Sequence, residues 1–111
     1  MAIFKAKARD PAGPWQELER HRLGTQTFIP LGGVRYVVLV ALNDPEHDKP
    51  DLRTLEAFYV DGDQSVTLKA GVWHHGLLAL DAGDFVVLER SATAIDCDVA
   101  QLPEPVRIVL A

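Results

Sequence analysis

Histidine is the residue type in this chain best suited to proton transfer or metal binding near neutral pH. The four histidines are His21, His47, His74 and His75. His47 stands in a loop rich in Pro and Asp, where a solvated surface position is expected. His74 and His75 are adjacent on a predicted strand, so they should point to opposite faces and only one can line a given cavity. That histidine is either a packed core residue or a functional group. The nearby Lys69 and Trp73 favour a functional site.

A second group of candidates lies where an apolar strand should end. Glu89 and Arg90 follow the run Phe85–Leu88 and should face opposite ways by alternation. Both could simply be solvated residues at the end of the strand. Alternatively, an inward-facing Arg90 could bind a carboxylate through its planar guanidinium group. Arg35 and Lys69 are rival cations for that role.

Several common catalytic patterns are not found in the sequence. Cys97 lies between Asp96 and Asp98, whose charges should raise the pKa of the thiol and argue against a nucleophilic cysteine. No serine has the Gly-x-Ser-x-Gly setting of a hydrolase. Gly32-Gly33 does not have the spacing of a phosphate-binding loop and predicts a turn between two apolar segments instead.

The elements that must position these residues are predicted to be short strands. Apolar and polar residues alternate with a period of two, and turn residues recur every 8–15 positions or so. Val34–Leu42 predicts a strand covered on both faces, and Ala2–Ala8 predicts an edge strand protected by lysines. Pro103 and Pro105 are interpreted as bracketing a turn before a last strand, Val106–Leu110. About eight or nine strands with little helix predict an all-β sandwich or small barrel.

Composition fits one folded domain covering residues 1–111. The 111 residues are 48% hydrophobic and carry a net charge of −5, which argues against a general nucleic-acid surface but allows a small anionic substrate. A single cysteine excludes an intrachain disulfide and a Cys-rich zinc site. The longest apolar run, Tyr36–Leu42, is too short to span a membrane, and Met1–Arg9 does not have the apolar stretch of a signal peptide. We therefore expect a soluble cytoplasmic protein without nucleic-acid or membrane partners.

An ordered set of sequence blocks resembles the ureidoglycolate lyase family, formerly called ureidoglycolate hydrolase. The most distinctive blocks are the His-x-x-Gly-x-Gln-x-Phe-x-Pro pattern from His21 to Pro30 and Trp73-His74-His75. Shorter matching blocks are Lys49-Pro50-Asp51-Leu52, Asp84-Phe85, Glu89-Arg90 and Cys97-Asp98-Val99. The blocks keep the family's order from about residue 18 to about residue 99, most of the chain.

The resemblance implies a cupin fold, a double-stranded β-helix barrel of the jelly-roll type, in agreement with the predicted strands. His21, Gln26, Gly33 and a Gly-x-x-His ending at His74 fit the spacing of a general cupin site, with Glu19 in the place of its first histidine. The family is associated with nickel. A site for nickel or another divalent metal, made by His21, His74 and Gln26 or by Glu19 with the two histidines, is therefore an expectation.

The reaction implied by the resemblance is cleavage of ureidoglycolate to glyoxylate and urea, a step of allantoin degradation in purine catabolism. A base must take the hydroxyl proton and an acid must protonate the leaving nitrogen. Histidine suits both transfers, so the candidate catalytic residues are His74 and His75, together with Gln26. Arg90, Lys69 and Tyr36 are the candidates for binding this ureido-bearing 2-hydroxy acid. The resemblance also implies a homodimer, which would cover an edge strand.

The chain also departs from the family pattern. It is short at its N-terminal side, Gly76 stands where proline is usual, and Thr67-Leu68 replaces the common Asn-Tyr. A shortened relative can keep a fold without its chemistry. The alternative hypothesis is therefore a noncatalytic or differently specific small cupin that binds a small organic acid or acts as a partner subunit. A metal-dependent cupin of another reaction class, such as an isomerase or dioxygenase, is a third hypothesis.

Overall fold

The computed structural model describes residues 1–89 and 96–110, and this part of the chain is built almost entirely from β-strands. Its one helical element is a 3-10 turn, Leu52–Thr54. The strands are β1 (Ala2–Ala6), β2 (Trp15–Arg20), β3 (Gln26–Pro30), β4 (Tyr36–Ala41), β5 (Asn43–Asp44), β6 (Lys49–Pro50), β7 (Glu56–Val60), β8 (Val66–Leu68), β9 (Trp73–His74), β10 (Leu78–Ala79), β11 (Gly83–Glu89) and β12 (Asp98–Val106). The prediction of an all-β fold with little helix is confirmed. No helix in the described ranges is long and apolar enough to cross a membrane.

The strands form two main antiparallel sheets. The first sheet has the order β1-β11-β3-β8. The second has the order β10-β4-β9-β2-β12, and β7 pairs with the other side of β4. Strands β5 and β6 pair only with each other and form a separate two-stranded ladder. This arrangement is the sandwich expected of a small cupin.

Strand β4 supplies apolar side chains to two cores. Tyr36 and Val38 belong to a cluster with Phe85 and other residues from both main sheets, so this core lies between the sheets. Val37 and Leu39 point the other way and belong to a second cluster. Because successive side chains of a strand alternate between faces, a continuously apolar strand can be buried on both sides. The prediction that this strand is covered on both faces is confirmed.

The turn between β3 and β4 requires glycine. Gly32 and Gly33 have φ angles of +70° and +78°, the left-handed region that side chains disfavour. The turn packs against Gly62 of another turn: a Cβ atom on Gly62 would clash with the carbonyl group of Gly33. Two loops thus meet backbone to backbone, and the predicted turn at Gly32-Gly33 is confirmed.

The edges of the sheets agree with the sequence at one end of the chain and differ at the other. β1 is an edge strand, as predicted for Ala2–Ala8. The predicted last strand, Val106–Leu110, is wrong: the last strand is Asp98–Val106, and residues 107–110 lie outside any strand. Pro103 and Pro105 lie inside this strand. β12 is an edge strand, and its pairing with β2 is irregular between Gln101 and Val106. Proline is tolerated there because an edge residue need not donate a ladder hydrogen bond.

Candidate active site

Strands β2 and β9 place Glu19 and His74 directly opposite each other. His74 is 1% exposed and its side chain lines the cavity between the sheets, while the preceding Trp73 belongs to the second apolar core. Strand alternation therefore sends these two neighbours to opposite faces. His74, rather than His75, is the histidine of the adjacent pair that reaches the cavity.

His21, just after β2, lies beside this pair. The ring centres of His21 and His74 are 5.4 Å apart. One side-chain donor atom from each of Glu19, His21 and His74 lies within 4.8 Å of the other two. Two imidazoles and a carboxylate thus converge from neighbouring strands.

The hydrogen bonds of the two imidazoles fix their tautomers. Nδ1 of His21 lies 2.8 Å from the carbonyl oxygen of Asp96, and Nδ1 of His74 lies 3.0 Å from the carbonyl oxygen of His75. Because a carbonyl oxygen only accepts, each Nδ1 must carry the proton and donate it. In the neutral rings each Nε2 then holds a lone pair, and both Nε2 atoms are buried without a partner among the described residues. Such atoms are available to a proton or to a metal ion.

The environment of His74 keeps its imidazole neutral. Burial lowers the pKa of His74 below its usual 6.5, and positive charge on the neighbouring His21 and His75 acts in the same direction. The carbonyl of His75 and the charge of Glu19 oppose this shift but do not outweigh burial. A neutral His74 at pH 7 has a free lone pair and can act as a base.

Gln26 and Glu89 form the facing wall of the cavity. They pair across β3 and β11, and Nε2 of Gln26 donates to Oε2 of Glu89 at 3.1 Å. That bond fixes the amide so that Oε1 of Gln26 is left buried without a partner among the described residues. Oε1 therefore offers a fixed hydrogen-bond acceptor to a ligand N–H or O–H group.

The cavity that these residues line has a volume of about 430 Å³. Its wall is largely apolar. The lining residues are Ala2, Ile3, Phe4, Arg9, Glu19, Gln26, Phe28, His74, Gly76, Leu77, Val87 and Glu89. An apolar cavity with a few convergent polar groups is typical of a small-molecule site.

A buried arginine supports the site from the other face of β2. Arg20 is 3% exposed and donates to Asp98 and to Asn43, and it forms an ion pair with Asp48. Its guanidinium carbon lies 4.4 Å from the ring centre of Trp73. Since Arg20 stands between Glu19 and His21, and Trp73 precedes His74, these contacts hold the backbone on which the site is built.

The donor set of the site fits a divalent transition metal. Two imidazole nitrogens and one carboxylate oxygen suit nickel, zinc, copper or iron. The two Nε2 atoms without a hydrogen-bond partner among the described residues offer the two nitrogen lone pairs that such an ion would bind. A second group, Asp44, Glu46 and His47, also brings donor atoms together, but there His47 already pairs with Asp44, and Glu46 and His47 are exposed in the turn after β5.

The structure separates the remaining predicted residues from this cavity. His75 packs against the Trp15 ring at 4.7 Å between centres, and the hydroxyl group of Tyr36 donates to the carbonyl of Gln64 in the core. Lys69 is exposed beside a different groove, near the edges of β7 and β8. Arg90 lies outside the described residues, so its role stays a prediction.

Two features of the site agree with or extend the sequence analysis. Burial and the nearby Glu19 raise the pKa of Cys97, so the thiol is not an activated nucleophile. The direction matches the prediction, although the flanking aspartates contribute less.

Arg9 lines the cavity and was not predicted. Nothing in its spacing signals this position, because it follows β1 in a segment that reads only as a turn.

Comparison with known proteins gives one consistent family. The ureidoglycolate lyase family model matches residues 1–109. Curated ureidoglycolate lyases of Escherichia coli (strain K12 / DH10B), Escherichia coli O139:H28 (strain E24377A / ETEC) and Shigella boydii serotype 18 (strain CDC 3083-94 / BS512) are each 51% identical over 89 residues. Each match covers 79% of this chain and 53% of the relative. The chain thus spans about half the length of the curated relatives that it matches.

Proposed function

Because the chain belongs to the ureidoglycolate lyase family, we propose that it cleaves ureidoglycolate to glyoxylate and urea. The substrate carries a hydroxyl group, a carboxylate and a urea nitrogen on one carbon. The observation that supports the proposal most strongly is the buried, unpartnered Nε2 of His74 in the cavity wall. The reaction needs a neutral base at this kind of position.

His74 performs both proton transfers in this proposal. Its Nε2 accepts the proton of the substrate hydroxyl group, and the O–H electron pair forms the carbonyl bond of glyoxylate. The C–N bond breaks, and its electron pair stays on the urea nitrogen. The protonated His74 then returns its proton to that nitrogen, so protons and electrons balance. Its lowered pKa keeps the ring in the neutral, proton-accepting form near pH 7, and it makes the protonated ring a stronger acid toward the leaving nitrogen.

Gln26 and Glu89 orient the ureido group. Oε1 of Gln26 is free to accept a hydrogen bond from a ureido N–H, and Glu89 holds the amide in that orientation. Satisfying a buried acceptor only when substrate is bound gives specificity for an N–H group at this point. The apolar walls from Phe28 and Val87 exclude water around the reacting carbon.

Glu19, His21 and His74 would hold a nickel ion or another divalent metal if one is required. A bound metal supplies Lewis-acid polarisation of a substrate oxygen. In that case the lone pair of His74 is already used, and the proton transfers fall to the carboxylate of Glu89 in the opposite wall. Removal of metal by chelation separates the two versions of the mechanism.

Other parts of the proposal concern the protein as a whole. We propose a cytoplasmic homodimer acting in allantoin degradation. The free edge of β1 supports pairing with a second copy, since Ile3 and Phe4 remain 56% and 49% exposed there. A solution mass of twice 12.2 kDa by light scattering would support the dimer, and a mass of 12.2 kDa would contradict it.

The proposed activity is tested by following glyoxylate and urea released from racemic ureidoglycolate. We expect the wild-type chain to release the two products in equal amounts. Comparing the rates with added nickel, without it and after chelation shows whether a metal is required. His74→Gln should reduce kcat by about 100-fold or more, as expected for loss of a general base. His47→Gln, a matched change at a solvated histidine, should leave the rate unchanged. No release above the uncatalysed rate under any condition would favour the alternative, a noncatalytic cupin that binds a small organic acid.

A further inference from the structure

The proposed substrate carries a carboxylate, and the cavity holds one strong cation among its described lining residues. That residue is Arg9; the other charged residues of the wall are the carboxylates of Glu19 and Glu89 and the ionisable His74. Lys69 lies beside another groove. A negatively charged group entering the cavity is therefore repelled near Glu19 and Glu89 and attracted near Arg9.

Arg9 is held at the cavity by both its backbone and its side chain. Its backbone N–H donates to the carbonyl oxygen of Ala79 in β10 at 2.9 Å. Its guanidinium carbon lies 4.8 Å from the ring centre of Trp15, within the range of a cation–π contact. Stacking uses the flat face of the guanidinium group and leaves its in-plane N–H donors free.

The indole ring that carries Arg9 is itself fixed. Trp15 is 8% exposed, its Nε1 donates to the carbonyl oxygen of Pro11 at 2.7 Å, and its ring packs on His75. His75 follows His74 in the chain, and the two adjacent histidines have different roles. His74 reaches the cavity, and His75 supports the aromatic platform under Arg9.

The free donors of Arg9 have no internal acceptor among the residues that the structure describes. The ion pairs of that part of the chain use Arg20, Arg22, Arg35 and Arg53 and do not include Arg9. The side chain of Arg9 thus presents an unneutralised, planar donor group at a cavity with an apolar wall. A carboxylate matches this group with two parallel charge-assisted hydrogen bonds.

We infer that Arg9 binds the carboxylate of the substrate and that Trp15 is its positioning residue. The inference rests on the proposed function for the identity of the substrate, but the carboxylate site itself can be tested separately. With the carboxylate at Arg9, the rest of a 2-hydroxy acid extends toward the polar groups of His74 and Gln26 in the same cavity.

The kinetic test compares Arg9→Gln with the wild type. Loss of a charge-assisted pair should raise KM for ureidoglycolate about 10- to 100-fold while kcat changes by less than about 3-fold. Arg9→Lys should recover only part of the loss, because an ammonium group has no bidentate fork. Arg53→Gln, a matched change at an arginine that is 90% exposed and does not line the cavity, should have no effect. An unchanged KM in Arg9→Gln would overturn the inference while leaving the proposed reaction intact.

The positioning role of Trp15 has its own readout. Trp15→Phe keeps an aromatic face, so its KM should stay close to the wild-type value. Trp15→Leu removes that face and should raise KM as Arg9→Gln does. Circular dichroism identifies a variant that fails to fold. If the folded Trp15→Leu variant keeps the wild-type KM, Trp15 does not position Arg9.

A binding experiment keeps the carboxylate site testable without turnover. Chemical-shift titrations with glycolate and with its neutral amide, glycolamide, report binding directly. We expect Arg9→Gln to weaken glycolate by the same 10- to 100-fold and to leave glycolamide unchanged. If the wild type shows no turnover but binds glycolate through Arg9, the reaction fails and the inference stands. Equal binding of glycolate by wild type and Arg9→Gln, or no binding by either, overturns it.

Discussion

The imidazole rings of His21 and His74 lie side by side, 5.4 Å apart between centres, and both donate their Nδ1 proton to a backbone carbonyl oxygen. This shared arrangement leaves two buried Nε2 atoms without a partner among the described residues. An unsatisfied buried polar atom costs about 1–3 kcal/mol, so two of them side by side favour a site where a proton, a ligand or water pairs with them. The pair marks the centre of the site.

The histidine pair, with Glu19, is where the proposed divalent metal would bind. Nickel should bind the wild-type chain in a 1:1 ratio, and both His21→Ala and His74→Ala should weaken it. Loss of a residue that only orients a metal-ligating side chain typically lowers metal affinity about 10- to 100-fold. Loss of a ligating side chain itself should therefore lower it by at least about 100-fold. Isothermal titration calorimetry measures the affinity. The matched control is His47→Ala, in the solvated group with Asp44 and Glu46. Equal weakening by His47→Ala would place the metal in that loop instead.

How far the sequence could predict this site is clear from the histidines. Alternation predicts that only one of His74 and His75 reaches a cavity, and the structure confirms that they separate. Which one does so depends on the register of β9 with β2, and a two-residue strand carries too little pattern to fix it. The sequence was sufficient for β4, because its six consecutive apolar residues predict a strand that is buried on both faces.

Other features depend on contacts that the sequence does not contain. Arg9 reaches the cavity only because Trp15 folds back under it and β10 anchors its backbone. At the C-terminal side, Pro103 and Pro105 were interpreted as a turn because proline usually interrupts strands. They lie inside β12, whose edge position follows from the order of the whole sheet.

Gln26 offers a prediction about recognition of the ureido group. Gln26→Leu keeps a similar volume but removes Oε1, the buried acceptor. We expect kcat/KM for ureidoglycolate to fall about 10- to 100-fold, the loss expected for one hydrogen bond to a buried group. The control is Thr27→Val on the same strand, where the hydroxyl group bonds Thr67 instead of lining the cavity. A fall of the same size in Thr27→Val would mean that any change in β3 disturbs the site and that Oε1 of Gln26 has no specific role in binding.

Arg20 predicts a difference in stability between two neighbouring arginines. Arg20 and Arg22 contact the same carboxylates, Asp48 and Asp98, but their side chains are 4% and 53% exposed. Arg20→Met should lower the free energy of unfolding by about 1–3 kcal/mol, because it removes the hydrogen bonds of a buried guanidinium group to Asp98 and Asn43 and its contact with the Trp73 ring. Arg22→Met should change it by less than about 1 kcal/mol. Urea denaturation measures both. Similar losses in the two variants would contradict the assigned role of burial.

The ion pair of Arg35 with Asp81 predicts a pH-dependent contribution to stability. Hydrogen bonds from Arg35 lower the pKa of Asp81 from 3.8 to about 2. A carboxyl group with a lowered folded-state pKa stabilises the fold above pH 3.8, and this contribution is lost as the pH falls toward 2. Asp81→Asn should therefore lower the urea midpoint near neutral pH, and its difference from the wild type should shrink below pH 4 or so. A difference that is the same at both ends of this range would show that the ionised pair does not stabilise the fold.

The central claim is that this chain breaks the C–N bond of ureidoglycolate with His74 at the centre of the cavity. The most direct measurement is the identity of the nitrogen product formed from racemic ureidoglycolate by the purified chain. We predict urea in amounts equal to glyoxylate, without ammonia, and loss of both products in His74→Gln. Formation of ammonia in place of urea would show hydrolysis of the ureido group, and urea release that persists in His74→Gln would place the catalytic base elsewhere.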